Sequence, residues 1–180
     1  MIELENLSKT YAKKATKKGA KAAKPAVDSL SLEIRSGEIF GFLGPNGAGK
    51  TTTIKMLTGV LKPDSGRVRI DGIELARLPL EAKARFGYVG DNPELWNRLK
   101  AAEFLNFMAD VYGVDDEERG GRIERYARRF AIADALGAPI ASYSRGMKQK
   151  LCIVGSLVHE PSNWILDEPL VGLDPEAAFE

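Results

Sequence analysis

Residues 44–51 carry the chemistry of a phosphate-binding loop. They read Gly-Pro-Asn-Gly-Ala-Gly-Lys-Thr, which matches the pattern GxxxxGK[ST]. Backbone N–H groups of such a glycine-rich turn converge on phosphate oxygens, and the helix that follows adds its positive N-terminal end. In this pattern the Lys50 amine reaches the β- and γ-phosphates, and the Thr51 hydroxyl binds Mg²⁺. The segment therefore predicts a nucleotide that carries both phosphates.

The elements on either side of this loop are those that the pattern requires. Residues 38–43 read Glu-Ile-Phe-Gly-Phe-Leu, an apolar run that predicts a buried strand. Residues 51–61 predict a helix, because Ile54, Leu57 and Leu61 recur on one face. A strand, a loop and a helix in this order bring the loop's N–H groups to a helix N-terminus.

A pair of carboxylates follows a second apolar run. Residues 165–169 read Ile-Leu-Asp-Glu-Pro, so a predicted strand ends at Asp167 and Glu168. At a strand's end, Asp167 is suited to orient the shell of Mg²⁺ beside Thr51. Glu168 points in a different direction and is suited to polarise a water for attack on the γ-phosphate.

A second anion site is predicted shortly before these carboxylates. Residues 144–149 read Ser-Arg-Gly-Met-Lys-Gln and open a helix whose apolar positions are Leu151, Val154 and Leu157. A Ser hydroxyl with bare backbone N–H groups at a helix start is what a γ-phosphate needs. Alone, this segment is an ordinary capped helix start. Its specificity comes from its place between the phosphate loop and the carboxylate pair.

Length, charge and apolar runs restrict the class of protein. The 180 residues suit one domain with a small inserted lobe, and the net charge of +1 argues against a charge field for nucleic acid. The one cysteine, Cys152, excludes a disulfide framework and indicates a reducing compartment. No apolar run reaches the roughly 18 residues of a membrane-spanning helix.

A lysine-rich segment at residues 13–24 departs from this balance. Lysines alternate there with Ala, Thr and Gly. A solvated loop between two strands is the plainer interpretation, and contact with anionic lipid headgroups is the sharper one. Nucleic acid is the third interpretation, although no aromatic side chains accompany the lysines for stacking on bases.

The pattern of apolar residues divides the chain into strand-rich and helical parts. Strands are predicted at 2–7, 27–34, 67–70 and 86–89. Residues 92–142 are helical, with the stripes Phe104, Met108, Val111 and Ile123, Tyr126, Phe130 facing a core. The pair at 120–121, both Gly, leaves the start of the second helix uncertain.

Taken together, the three motifs resemble the nucleotide-binding domain of ABC transporters across essentially the whole chain. The phosphate loop, residues 144–149 and residues 165–169 have that family's order and spacing, and the forms around Arg145 and Met147 are similar to ABC-2-type exporter ATPases. The resemblance implies an α/β fold of the P-loop NTPase class. It has a RecA-like core (1–91 and 143–180), with an N-terminal antiparallel β subdomain and an inserted helical subdomain at 92–142.

The resemblance also implies roles for individual residues. Tyr11 resembles the aromatic residue that stacks on adenine, and the loop at 172–174 resembles one that communicates across a dimer. Catalysis would fall to Glu168 and Lys50. The ATP-binding set is Tyr11, Gly44, Pro45, Asn46, Gly47, Ala48, Gly49, Lys50, Thr51 and Thr52. The signature residues, acting on the ATP held by a second copy, are Ser144, Arg145, Gly146 and Met147.

Two departures from the family's pattern stand out. The position after strand 86–89 that contacts Mg²⁺ and the attacking water, normally Gln or Glu, falls on Asp91, whose shorter side chain reduces its reach; a plain loop acid is the other interpretation. The metal ligands implied are therefore Thr51, Asp167 and Asp91. The family's switch histidine, beyond the carboxylate pair, has no counterpart here, since the one histidine, His159, precedes that pair and is interpreted as structural. We therefore expect a C-terminally truncated member.

The expected function is an ATP-binding and ATP-hydrolysing subunit that powers transport through a separate membrane subunit. Its cofactors would be ATP and Mg²⁺. It would form a homodimer or pseudo-dimer through an ATP sandwich, bind a membrane-spanning permease and no nucleic acid, and lie in the cytoplasm on the inner face of the cell membrane. The alternatives are a nucleotide-binding fragment without steady hydrolysis and a soluble ABC ATPase outside transport.

Overall fold

Two structural units, Met1–Arg85 and Phe86–Glu180, make up the computed structural model, which describes residues 1–11, 24–90 and 95–168. The first unit holds an antiparallel sheet and the helix after the phosphate loop. The second holds a parallel strand pair and three helices of more than two turns. Among the helices of the described residues, none is long and apolar enough to cross a membrane.

The sheet of the first unit is antiparallel throughout. Its strands are β1 (Ile2–Lys9), β2 (Val27–Ile34), β3 (Ser65–Ile70) and β4 (Ile73–Glu74), in the spatial order β2-β1-β3-β4. Alternate residues are buried, among them Ile2, Leu4, Val68 and Ile70, because successive side chains of a strand point to opposite faces. The strands predicted at 2–7, 27–34 and 67–70 are confirmed, the second with its bounds unchanged.

Helix α1 (Lys50–Leu57) follows the phosphate loop but is shorter than predicted. The predicted helix ran to residue 61. Instead the Thr58 hydroxyl donates to the Ile54 carbonyl at 2.9 Å, and Gly59 follows with φ of 70°, which turns the chain out of the helix. The buried residues of α1 are Thr53, Met56 and Leu57, so only part of the predicted apolar face is correct. A short helix, α2 (Pro79–Lys83), was not predicted.

The strand predicted at residues 38–43 is wrong. These residues form no regular element, and the side chains of Ile39 and Leu43 are 101% and 93% exposed. A strand is stable only with a neighbour that accepts its backbone hydrogen bonds, and neither sheet in the described part of the chain includes this run. An apolar run indicates that a segment is suited to a buried strand, but it does not show that a neighbouring strand is present to pair with it.

The second unit is built on two parallel strands, β5 (Phe86–Val89) and β6 (Asn163–Leu166). Parallel strands require a long crossover, and here the crossover carries α3 (Ala101–Val111), α4 (Asp116–Arg129) and α5 (Arg145–Leu157), with 3₁₀ turns at Ala133–Ala135 and Ile140–Ser142. The predicted strand 86–89 is confirmed with its bounds, and the strand before Asp167 is confirmed from residue 163.

Helices α3, α4 and α5 share one apolar core. Its buried members include Phe104, Leu105, Ile123, Leu151 and Val154. The prediction that Val111 faces this core is wrong, because its side chain is 59% exposed. Helix α4 continues through residues 120–121, because Ile123 and Ala127 are buried and the charges in its first and last turns complement the helix dipole.

Helix α5 lies against β5 at backbone distance. A Cβ atom added to Gly87 would meet the Ser156 carbonyl oxygen at 2.2 Å, so only glycine fits there. The Ser156 hydroxyl in turn accepts a hydrogen bond from Trp164 Nε1 of β6 at 3.0 Å. The helix that starts at the predicted signature is therefore attached to both strands of the parallel pair.

Candidate nucleotide-binding site

Two glycines give the loop at 44–51 its turn. Gly47 and Gly49 have φ of 81° and 90°, in the left-handed region that other residues adopt only with strain. At Gly49 space is also restricted, because an added Cβ would lie 2.4 Å from the Ala26 carbonyl oxygen and 3.1 Å from a Val27 methyl group. The loop therefore approaches the start of β2 so closely at Gly49 that no side chain fits there.

The Lys50 side chain folds back over the loop. Lys50 is the first residue of α1, and its Nζ donates to the carbonyls of Gly44 at 2.5 Å and Pro45 at 3.1 Å. The ammonium group therefore lies at the mouth of the loop, on the side from which phosphate would approach the helix N-terminus. The remaining loop residues, Asn46, Gly47 and Ala48, are exposed, as is the Thr51 side chain.

Tyr11 lies beside the first turn of α1. Its hydroxyl oxygen is 3.4 Å from Oγ1 of Thr52, and 52% of the residue's surface is exposed. The predicted adenine-stacking ring and the predicted phosphate loop are therefore neighbours within the first unit, although they are far apart in sequence.

The carboxylate pair follows β6 in the second unit. The Asp167 amide donates to the Val89 carbonyl at 2.9 Å, so the ladder between β5 and β6 continues one residue past Leu166. Asp167 is 8% exposed, whereas Glu168 is exposed and has φ of 50°. The two neighbouring carboxylate residues therefore differ in their exposure to solvent.

The predicted signature opens α5 with a side-chain cap. Ser144 is the N-cap, and its hydroxyl accepts from the Met147 amide at 3.2 Å. Tyr143, just before it, is buried and donates from its hydroxyl to the Ala135 carbonyl at 2.8 Å. Ser144 and Arg145 are exposed, and Gly146 and Met147 are half-buried, so the helix start is accessible while its base is anchored.

The residue types at the predicted metal positions suit Mg²⁺. A Thr hydroxyl and an Asp carboxylate are hard oxygen ligands, and Mg²⁺ is typically held by one or two such groups together with substrate phosphates. Thr51 is exposed at the start of α1, and Asp167 ends the parallel strand pair. Asp91 lies outside the described residues, as do residues 172–174. Within the described ranges, no group of three or more His, Cys, Asp or Glu side chains forms a metal cage of its own.

An exposed aromatic pair was missed by the sequence analysis. Trp96 and Phe107 are 54% and 43% exposed, and their ring centroids lie 4.9 Å apart in an edge-on arrangement. With Val111 they form an apolar patch on the outer side of α3. Nothing in the sequence analysis indicated it, because Trp96 and Phe107 both lie off the stripe Phe104, Met108 and Val111 from which the core face was predicted.

Comparison with known proteins gives consistent matches. The ABC transporter family model matches residues 27–171. The ABC transporter ATP-binding protein NatA of Bacillus subtilis (strain 168) is 37% identical over 175 residues, which is 97% of this chain and 69% of NatA. The linearmycin resistance ATP-binding protein LnrL of the same organism is 35% identical over 177 residues, 98% of this chain and 54% of LnrL. A bacterial ABC transporter cassette solved as a dimer has a TM-score of 0.83 at 26% identity, over 99% of this chain and 78% of that one.

The fold and the phosphate loop together define the class of protein, which is that of the P-loop NTPases. The chain belongs to the ABC transporter family, and within it to the ATP-binding subunits, which are ATPases. The resemblance seen in the three motifs is thereby confirmed. The chain spans 54% of the length of LnrL and 69% of that of NatA.

Proposed function

We propose that this chain binds ATP with Mg²⁺ at the loop 44–51 and hydrolyses it to drive export through a separate membrane subunit. The observation that carries the proposal is the position of Lys50. Its ammonium group lies over a loop whose carbonyls it contacts at 2.5 and 3.1 Å, directly at a helix N-terminus. A γ-phosphate replaces these carbonyls as a stronger acceptor, because charge-assisted hydrogen bonds are roughly twice as strong as neutral ones.

Two parts of the first unit bind the two ends of the nucleotide. The backbone N–H groups of the loop hold the phosphates, and Tyr11 stacks on the adenine ring. The contact between Tyr11 and Thr52 supports this assignment, since it keeps the ring beside the helix that receives the phosphates. The full ATP-binding set is that predicted from the sequence: Tyr11, residues 44–51 and Thr52.

The metal ligands of this chain are Thr51 and Asp167, with Asp91 as the third predicted group. When bound, Mg²⁺ neutralises charge on the β- and γ-phosphate oxygens. Thr51 supplies a neutral hydroxyl ligand. Asp167 supplies a carboxylate at a backbone position that is fixed by its amide hydrogen bond to the Val89 carbonyl.

Hydrolysis depends on Glu168. Its carboxylate accepts a proton from the water whose oxygen attacks the γ-phosphorus, and ADP leaves from the opposite side. Lys50 stabilises charge on the transferring phosphoryl group. The exposure of Glu168 directly after the buried Asp167 supports this role, because a general base must be reached by the water that it activates.

A second copy completes the site. Ser144, Arg145, Gly146 and Met147 at the start of α5 contact the ATP held by the partner chain, in a homodimer or pseudo-dimer. The accessible, capped helix start and the dimer formed by a structural relative support this arrangement.

The membrane subunit docks on the helical part at 92–142. This division of the chain into a core (1–91 and 143–180) and a helical subdomain is itself part of the proposal. The exposed patch of Trp96, Phe107 and Val111 supports it, since exposed apolar patches mark interaction sites. The chain would then lie in the cytoplasm on the inner face of the cell membrane. Export is supported by the resistance function in the name of LnrL.

Hydrolysis is tested by phosphate release with Glu168→Gln beside the matched control Glu117→Gln, an exposed glutamate in the first turn of α4. We expect Glu168→Gln to lower kcat about 10²- to 10⁴-fold, the usual contribution of a general base, with ATP affinity retained. Glu117→Gln should behave as wild type. Equal rates for all three proteins would contradict the assignment of Glu168.

A further inference from the structure

The connection between α5 and β6 is contacted by three other elements. It spans residues 158–162 and leads from α5, the helix that opens with the predicted signature, to the strand that precedes Asp167. Arg122 of α4 reaches the Val158 carbonyl at 3.4 Å, and the Glu160 carboxylate is paired with Arg125 and Arg122. This connection is therefore a joint between the helices and the parallel strand pair.

His159 forms the centre of this joint. Its ring is stacked on Tyr112, which caps the end of α3, with centroids 3.7 Å apart and planes within 5°. Its Nε2 lies 3.2 Å from the Phe86 carbonyl oxygen at the start of β5. A carbonyl only accepts hydrogen bonds, so Nε2 carries the proton. One imidazole ring thus connects the last turn of α3 to β5.

The other ring nitrogen explains why this contact depends on charge. Nδ1 of His159 is buried and has no hydrogen-bond partner among the described residues. In the neutral ring Nδ1 is an unprotonated acceptor, whereas the imidazolium would place an N–H⁺ donor there without an acceptor.

Three groups face the His159 ring, and the balance of burial and charge around it disfavours the charged form. They are the Tyr112 ring of α3, the Arg122 cation of α4 and the Phe86 carbonyl of β5. Burial lowers the pKa of His159, the Phe86 hydrogen bond opposes this, and Arg122 lowers it further. The hydrogen bond with Arg125 lowers the pKa of Glu160 and keeps it ionised, and its negative charge is compensated by its ion pairs with Arg125 and Arg122. Burial raises the pKa of Tyr112, so that ring stays neutral.

We propose that neutral His159 is a positioning residue that ties α3 to β5. Protonation places an N–H⁺ donor at the buried Nδ1, which has no acceptor there, and so favours a state in which the ring leaves this position and the tie is lost. Loss of the tie loosens the helices from the strand pair that carries Asp167. The consequence for hydrolysis, a slower turnover at acidic pH, rests on the proposed function; the tie itself does not.

The direction with pH follows from linkage. The ordinary pKa of histidine is about 6.5, and the folded protein holds it lower, so the unfolded chain binds more protons between the two values. Stability from His159 is therefore complete above about pH 6.5 and is lost as the pH falls from there through the lower, folded value.

The chain's one histidine makes a direct test possible by NMR of the full chain. We expect the His159 Hε1 resonance to titrate below pH 6.5, and hydrogen-exchange protection factors in the last turn of α3 to fall over the same range. Titration at or above about pH 6.5, or unchanged protection of α3, would overturn the proposal.

Two variants separate protonation of His159 from destabilisation of the protein by low pH at other groups. His159→Gln keeps a donor toward Phe86, and His159→Phe keeps the stack on Tyr112; neither titrates. Between about pH 7.5 and 5.5 the wild type should lose roughly 2–4 °C more in Tm than either variant. An equal loss in all three proteins contradicts the tie, and if the variants do not fold, the wild-type NMR titration decides. Absence of ATP hydrolysis at every pH would refute the proposed function and leave the titration as the test of the tie.

Discussion

At the scale of residues, the loop 44–51 contains two glycines that differ in what surrounds them. Gly47 and Gly49 both have positive φ, but only Gly49 faces a carbonyl oxygen within 2.4 Å of the position of an added Cβ. Substitution by alanine at each position therefore distinguishes two effects. At Gly47 it introduces conformational strain alone, and at Gly49 it introduces the same strain together with a steric clash.

We expect Gly47→Ala to lower the free energy of unfolding by about 1–2 kcal/mol, the cost of a left-handed conformation in a residue with a Cβ. Gly49→Ala should cost more and should also lose ATP affinity, because the loop must move away from Ala26. Thermal unfolding and nucleotide titration of the two variants make the comparison. Equal effects would mean that the approach of the loop to Ala26 does not matter.

The positions of the phosphate-loop residues could be predicted from the sequence because the loop is local in the chain. Its residues, spacing and the helix that follows lie within one short segment, so Lys50 at the start of α1 was predictable. The contact between Tyr11 and Thr52 was expected only through resemblance, since nothing in the sequence links positions so far apart. The strain at Glu168 had no sequence signal at all.

At the scale of elements, local patterns predicted strands whose partners are present. Strands β2 and β5 have the predicted bounds because their alternation or apolar run meets a neighbour in the fold. The run at 38–43 has the same local pattern and forms no strand. Helix α4 begins at Asp116, ahead of the glycine pair, because burial of Ile123 and Ala127 outweighs the poor propensity of glycine.

Two glycines test the packing of these elements in opposite directions. Gly87→Ala should destabilise the protein by about 1–3 kcal/mol, since its Cβ would overlap the Ser156 carbonyl and separate α5 from β5. Gly120→Ala lies in an open part of α4 and should stabilise it by roughly 0.5–1 kcal/mol. Urea unfolding gives both values. Destabilisation by Gly120→Ala would show that α4 is not a regular helix at that point.

At the scale of the whole molecule, the residues that the sequence analysis assigns to one site belong to two units of the fold. The phosphate loop and Tyr11 belong to Met1–Arg85, whereas the carboxylate pair and the start of α5 belong to Phe86–Glu180. Such an assembly, including residues from a second copy, cannot be derived from local patterns. It is expected from the resemblance to the ABC transporter family, and the comparisons confirm that the chain belongs to this family. The assembled site itself stays a prediction.

The second copy is tested by trapping ATP on the protein. Glu168→Gln should bind ATP without hydrolysing it, so we expect a dimer in ATP that is absent in ADP, measured by light scattering. Adding Lys50→Ala to this variant should abolish the dimer, because no nucleotide is held between the chains. A mass of one chain under all conditions would contradict the ATP sandwich.

The most direct test of the account is Mg-ATP binding by calorimetry to the wild type, Lys50→Ala and the control Lys55→Ala. Lys55 is an exposed lysine on the same helix, so its loss changes the charge of α1 without touching the loop. We expect binding by the wild type and Lys55→Ala, and a loss of at least about 10-fold in affinity for Lys50→Ala, the least expected when a hydrogen bond between charged groups is removed. Equal affinity of all three proteins would show that the loop 44–51 is not the nucleotide site.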